Sequence, residues 1–158
     1  MVQLSDKRAR PGRPRGQSLA EFALVFPILM LIIGGIIQFG LIFWGQNTLT
    51  QVVRDTGRWA ATQIDCVPAT AVAPVIATAN AIATQSSLIG YTPGEFDGGN
   101  TTVTWRTVPL GDPCPPVDNQ DESWVRITIT HAVPIFFPFV PGNGELASTT
   151  EFRMEPAP

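Results

Sequence analysis

The stretch from residue 16 to residue 45, GQSLAEFALVFPILMLIIGGIIQFGLIFWG, decides the architecture of this 158-residue chain. After Glu21 it holds twenty-four residues without a formal charge, Phe22 to Gly45, and Gln38 is the strongly polar side chain among them. An α-helix rises about 1.5 Å per residue and the hydrocarbon core of a bilayer is about 30 Å thick, so about twenty such residues suffice to cross it. The stretch therefore predicts a transmembrane helix over residues 17–45.

The charges on the two sides of this stretch differ in sign. Five of the ten basic residues lie in the leader, residues 1–16, where Asp6 is the only acid. The rest of the chain carries five basic and twelve acidic side chains, a formal charge of −7. Because basic residues close to a span stay on the cytoplasmic side, we expect a cytoplasmic N-terminus and a translocated C-terminal part. The acidic balance of that part also argues against a nucleic-acid partner.

The leader and the apolar run together have the layout of a secretory signal. An ordinary signal, however, has an apolar region of about 7–15 residues that ends at a small-residue cleavage site. Here the apolar run is longer, and the boundary beyond it, FWGQNTL at residues 43–49, contains no A-x-A pattern. We therefore expect the span to stay in the mature protein.

The residues around Gly16 resemble the start of the TadE-like proteins, which are pseudopilins of bacterial tight-adherence (Flp) pilus systems. That family has a short basic leader, a glycine, four residues, then a glutamate followed by an aromatic residue and a long apolar helix. Gly16, Glu21 and Phe22 match this pattern. The stretch RDTGRWA at 54–60 and the tail from VRITITHAVPIFFPFVPG to FRMEP, residues 125–156, are similar to further parts of the family.

The resemblance implies cleavage after Gly16 by a prepilin peptidase, which would make Gln17 the new N-terminus. It implies a structural part in building a type IVb-like pilus, with other pilins or pseudopilins and the pilus assembly platform as partners at the cytoplasmic membrane. The new α-amino group would lie one helical turn from Glu21, where the two charges can neutralise each other. Without cleavage, Glu21 is a first-turn acid that the helix dipole and the lipid headgroups satisfy.

Two residues inside the span bear on helix packing. Pro27 removes one backbone hydrogen bond, and we expect it to kink or loosen the helix. Gln38 predicts a hydrogen bond to a partner helix, the alternative being a bond to its own backbone. The glycines at 35, 40 and 45 are spaced by five residues, so they do not form a G-x-x-x-G dimer motif.

The helical period continues beyond the span. Apolar and small residues repeat at 49, 52, 53, 56 and 60, and Arg54, Asp55 and Arg58 lie outside that stripe. This pattern predicts a helical stalk over residues 46–64 on which a domain packs.

Cys66 and Cys114 are the two cysteines of the chain. On the oxidising side of a membrane we expect them to form one disulfide. Two free thiols or a metal site are the alternatives. A metal site is not expected, because His131 is the sole histidine and no C-x-x-C occurs.

Residues 65–158 predict a small α+β extracytoplasmic domain of pilin-like type. Residues 68–88 carry a helical stripe and predict a second helix that packs on a sheet. Residues 90–100 hold four glycines and predict a loop. Alternating residues over 103–107, 125–133 and 146–154 predict three strands of a short antiparallel sheet.

The segment PIFFPFVPGNG, residues 134–144, is too rich in proline for a hairpin turn. Its aromatic residues Phe136, Phe137 and Phe139 form a candidate contact loop. The prediction we favour is a partly buried cap that touches a neighbouring subunit, and a membrane-skimming loop is the alternative.

The sequence contains no pattern typical of an enzyme. His131 follows the strand pattern of Ile129 and Val133, which favours a packed histidine over a catalytic base, and neither a nucleophile elbow nor a phosphate loop accompanies it. We expect no catalytic residue, cofactor, metal or small-molecule substrate. Three function classes remain: a processed pseudopilin, an uncut membrane anchor with a protein-binding domain, and, with least support, a membrane-bound enzyme.

Overall fold

The computed structural model describes residues 16–63, 68–108, 122–137 and 144–154. Its elements, in chain order, are α1 (Gln17–Gln63), α2 (Pro68–Gln85), β1 (Thr101–Val108), β2 (Glu122–Ala132) and β3 (Glu145–Arg153). This confirms the predicted α+β class, with a long apolar helix, a second helix and a small antiparallel sheet. Residues 1–15 of the predicted leader and both cysteines lie outside the described residues.

Helix α1 runs without interruption through the predicted span and the predicted stalk. It contains 47 residues, which corresponds to a length of about 70 Å. The backbone N–H of Ala20 donates to the carbonyl of Gly16 over 3.2 Å, so the first turn closes on Gly16. The helix continues across Pro27, which has no N–H to donate to the carbonyl of Ala23. The kink predicted at Pro27 stays a prediction.

The three strands form a sheet of order β1-β2-β3 in which both neighbouring pairs are antiparallel. The central strand, β2, shows the predicted alternation. Val125, Ile127 and Ile129 are fully buried, whereas the side chain of Arg126 between them is exposed. Because successive side chains of a strand point to opposite faces, one face of the sheet is apolar and receives the helices.

The core lies between this face and α1. Helix α1 packs on β3 and β2, and the predicted stripe is buried: Leu49, Val52, Val53, Thr56 and Ala60. Helix α2 presents its own predicted stripe, but among the described residues it packs chiefly on α1 and contacts the sheet at β1. The predicted packing of α2 on the sheet is therefore mainly a helix–helix contact.

The N-terminal part of α1 stands clear of this core. Every residue from 17 to 33 is exposed, although most of these side chains are apolar. Among the described residues, α1 is the helix that is long and apolar enough to cross a membrane. Its apolar surface suggests a membrane anchor.

Candidate membrane and assembly surface of the long helix

The predicted processing junction lies at the exposed start of α1. Gly16 and Gln17 are both exposed, and a Cβ built on Gly16 would have no other atom within 4 Å. The side-chain amide of Gln17 donates to Oε1 of Glu21 over 3.0 Å. The two residues thus share one face of the first turn, as their spacing of four predicts.

The residues that follow the junction form an apolar surface in which Glu21 is the charged side chain. Phe22 contacts Phe26 with ring centroids 5.4 Å apart. The exposed large side chains from this part of the helix are Leu19, Phe22, Leu24, Val25, Phe26, Ile28, Leu29, Met30, Leu31, Ile32 and Ile33. A contiguous apolar surface of this kind marks contact with lipid or with other apolar helices.

Gln38 is the strongly polar residue of the uncharged run from Phe22 to Gly45, and its side chain is fully buried. Its Nε2 donates to the carbonyl of Pro134 over 3.1 Å, and its Oε1 accepts the backbone N–H of Phe136 over 2.9 Å. The sequence predicted a bond to a partner helix or to the helix's own backbone. The structure instead uses both ends of the amide on a loop of the same chain.

Residues 133–137 form this loop, the β2 exit loop. It leaves β2 and runs along α1 toward the N-terminus of the helix. Val133 lies beside Gly45, Pro134 and Phe136 bond to Gln38, and the ring of Phe137 lies on Gly34. The domain therefore contacts α1 on the N-terminal side of the stalk, within the predicted span.

The predicted contact loop is thus placed in part. Phe137 is half-buried and lines an apolar groove with Pro27, Met30 and Leu31. Phe136 is 64% exposed, and Phe139 lies outside the described residues. The loop is a partly buried cap on its own helix, and its contact with a neighbouring subunit stays a prediction.

Three glycines let the domain approach the backbone of α1. A Cβ on Gly34 would come within 2.6 Å of the ring of Phe137. A Cβ on Gly45 would lie 2.9 Å from Val133, and one on Gly57 would lie 2.7 Å from the ring of Phe152. These glycines are not spaced by four residues, so the G-x-x-x-G pattern does not reveal them. Gly45 follows Gly34 by eleven residues, which is about three turns, so these two glycines lie on nearly the same helix face, whereas Gly57 follows Gly45 by twelve residues and lies about 120° further round the helix.

His131 is a buried residue with hydrogen-bond partners within the domain, as its strand pattern predicted. The residue is 2% exposed, its Nδ1 lies 2.7 Å from Oε1 of Glu95, and its Nε2 lies 2.8 Å from the carbonyl of Ile89. A carbonyl only accepts, so Nε2 carries a proton and donates it to Ile89. The contact ties β2 to the predicted loop over residues 90–100.

The described residues contain no group of three or more His, Cys, Asp or Glu side chains that could hold a metal ion. Cys66 and Cys114 both fall outside the described residues, so their predicted disulfide stays a prediction.

The start of α1 brings together Gly16, Glu21 and an exposed apolar surface, the residues on which the resemblance in the sequence depends. Residues 16–58 match the family described as TadE-like protein. No curated protein and no solved structure gave a match.

The TadE-like match begins at Gly16 and contains Glu21, Phe22, Pro27 and Gln38. It ends at Arg58, within the arginine-flanked stretch that carried part of the resemblance. The resemblance to the TadE-like family is therefore confirmed over this segment, and the similarity of the tail lies outside it. TadE-like proteins are a structural, pilus-associated family.

Proposed function

We propose that this chain is a TadE-like pseudopilin, a structural component in the assembly of a bacterial Flp-type pilus. The observation that carries the proposal is that three boundaries coincide at one point. The TadE-like match begins at Gly16, the helix begins at Gln17, and the basic leader ends at the same place. A prepilin peptidase cuts after Gly16 and leaves Gln17 as the N-terminus.

The exposed apolar part of α1 supports an anchor in the cytoplasmic membrane. The basic leader lies on the cytoplasmic side, and the acidic domain, residues 65–158, lies outside it. This orientation agrees with the formal charge of −7 on the chain from Gln17 onward. The same helix surface, once extracted from lipid, is available to the helices of other pilins.

The partners of the subunit are the peptidase, other pilins or pseudopilins and the assembly platform. Glu21 lies exposed one turn into α1, where a charged carboxylate at the membrane edge is costly. Cleavage supplies the counter-charge, because the new α-amino group of Gln17 lies one turn away. The pair can form within one subunit or between neighbouring helices.

Cleavage is tested by co-expressing the full chain with a prepilin peptidase and sequencing the N-terminus of the membrane-bound product. We expect Gln17 as the first residue, and we expect Gly16→Leu to block the cut. Gly35→Leu, placed within the span, serves as the matched control that should leave cleavage intact. An intact Met1 in the wild-type protein under these conditions would remove the pseudopilin proposal.

The orientation is tested by thiol labelling of intact cells and of inverted membranes. We expect Cys66 and Cys114 to be labelled only after reduction and only from the outer side. Labelling from the cytoplasmic side would reverse the topology, and labelling of both thiols without reduction would reject the disulfide.

The alternative, an uncut single-pass anchor that carries a protein-binding domain, keeps the same membrane topology. It differs in one result, which is that the mature protein would retain its leader. The N-terminal sequence therefore separates the two functions.

A further inference from the structure

We propose that the β2 exit loop, residues 133–137, inserts into the outer leaflet of the membrane that α1 crosses, with Ile135 and Phe136 in contact with acyl chains. This inference goes beyond the pseudopilin proposal and rests on one part of it, namely that α1 spans the bilayer. It does not depend on cleavage or on the identity of any pilin partner.

The first argument is depth. Phe43 and Trp44 are exposed aromatic residues at the end of the apolar run, where the outer interface is expected. Gly34, against which the ring of Phe137 packs, lies ten residues before Trp44. At about 1.5 Å per residue it lies about 15 Å deeper along the helix.

The same depth follows from the inner side of the membrane. Gly34 lies thirteen residues after Glu21, or about 20 Å along the helix, and the hydrocarbon core is about 30 Å thick. A helix tilt of about 20° shortens such distances by only about 6%. Both reference points therefore put Phe137 below the outer surface of the hydrocarbon.

The second argument is that the protein itself bonds three backbone groups of the loop, those of Val133, Pro134 and Phe136. Irregular backbone is tolerated at membrane depth only where the protein itself bonds its polar groups. The N–H of Val133 donates to the carbonyl of Gly144 over 2.8 Å. Pro134 has no N–H, and Gln38 bonds both its carbonyl and the N–H of Phe136. This explains why a buried glutamine stands inside an otherwise apolar segment.

The third argument is the chemistry of the exposed part of the loop. No residue from Ala132 to Gly144 carries a formal charge. Phe136 is 64% exposed and Ile135 is 37% exposed, so both present apolar surface on the outside of the protein. At the same height, Ile36 and Phe39 of α1 are also exposed. An apolar loop that continues the surface of a membrane anchor fits lipid as its occupant.

Insertion would fasten the domain against the membrane. The β2 exit loop and α1 would form two apolar attachments, joined by Gln38, and the stalk could not hold the domain away from the bilayer. A polar protein partner would meet a hydrocarbon-facing surface at this point, so lipid is the occupant that the position favours.

The test is photocrosslinking of the full-length chain in vesicles of phosphatidylethanolamine and phosphatidylglycerol. The substitution Phe136→p-benzoylphenylalanine keeps an aromatic ring at an exposed position and leaves both cysteines in place. Phe39→p-benzoylphenylalanine marks a position on the span, and Gln51→p-benzoylphenylalanine marks an exposed position on the stalk. After illumination, mass spectrometry of the digested chain detects acyl-chain adducts.

We expect lipid adducts at position 136 in a yield comparable to that at position 39. We expect no lipid adducts at position 51. Adducts at 39 without adducts at 136 would overturn the inserted loop while leaving the anchor intact. Absence of adducts at both positions would overturn the membrane anchor and the inserted loop together. The same variants in cell membranes address the other occupant, because protein adducts at 136 in place of lipid adducts would replace the inference with a subunit contact.

Discussion

The backbone N–H of Phe136 donates to Oε1 of Gln38 over 2.9 Å, across 98 residues of sequence. The other end of the same amide donates to the carbonyl of Pro134. One glutamine thus fixes the loop that leaves the central strand to the middle of the long helix. Because both loop groups are backbone atoms, the contact determines the path of the chain at this point.

Substitution Gln38→Leu keeps a similar volume and removes both hydrogen bonds. We expect the free energy of unfolding to fall by about 1–3 kcal/mol for each backbone group that stays buried without a partner. Hydrogen exchange at the amide of Phe136 should also accelerate. Thermal unfolding of the full chain in detergent and exchange measured by mass spectrometry check the two effects.

The matched control for this prediction is Gln51→Leu. Gln51 is an exposed glutamine on the same helix. Its replacement should change the free energy of unfolding by less than about 0.5 kcal/mol and leave the exchange of Phe136 unaltered. Equal behaviour of the two variants would mean that the contact of Gln38 with the loop does not stabilise the protein.

Substitution Gly57→Ala places a methyl group against β3. The added Cβ would lie 2.7 Å from a ring carbon of Phe152 and 2.8 Å from the methyl group of Thr150. We expect a destabilisation of about 1–3 kcal/mol from overpacking, which exceeds the gain of about 0.5–1 kcal/mol that alanine brings to a helix. The midpoint of thermal unfolding should therefore fall.

Gly40→Ala provides the comparison, because a Cβ on Gly40 would have no other atom within 4 Å. We expect this variant to unfold at the wild-type temperature or above it. A loss of stability as large as that of Gly57→Ala would contradict the explanation by close contact.

Substitution His131→Leu tests the link between β2 and the loop over residues 90–100. It removes the donor to the carbonyl of Ile89 and the partner of Glu95. Because these groups lie at a buried side chain, we expect a loss of about 1–3 kcal/mol in the free energy of unfolding. Denaturant unfolding, followed by tryptophan fluorescence, measures it.

Arg126→Ala is the control for His131. Arg126 pairs with Glu151 over 3.2 Å on the exposed face of the sheet, and its side chain is 53% exposed. Exposed pairs contribute at most about 1 kcal/mol, so this variant should be nearly as stable as the wild type. The reverse order of stabilities would contradict the assignment of His131 as a buried structural residue.

Substitution Glu21→Gln tests what this carboxylate does after cleavage. The variant should insert, because it removes a charge from the membrane edge, and it should still be cut, because Gly16 is unchanged. Its association with other pilins should fall, since breaking a buried charge pair typically costs about 3–5 kcal/mol. Crosslinking and co-purification of the cut protein with its pilin partners measure the loss.

Asp55→Asn is the matched control, because Asp55 is an exposed acid on the upper part of the same helix. It should leave both association and surface pili unchanged. If Glu21→Gln also associates normally and forms normal pili, the role of Glu21 is limited to its favourable interaction with the dipole at the start of the helix.

Local patterns in the sequence were enough to predict the elements. The uncharged run after Glu21 and the stripe from Leu49 to Ala60 predict one long helix, and α1 covers both. The alternation along β2 predicts a strand with one apolar face, which Val125 and Ile127 form. These features depend on residues that are close together in the sequence. The periodicity with which side chains point to one face of a helix or strand is therefore enough to predict them.

The tertiary structure decided which surfaces meet. The period of a helix shows that Gln38 and Gly34 share a face, but it does not show that a loop about one hundred residues later in the sequence covers that face. Nor does a strand pattern show that His131 finds Glu95. A polar side chain inside an apolar run must find a partner somewhere, because burial without one is costly. The identity of that partner depends on how the chain folds back on α1, and only the packing of the sheet on the helix establishes it.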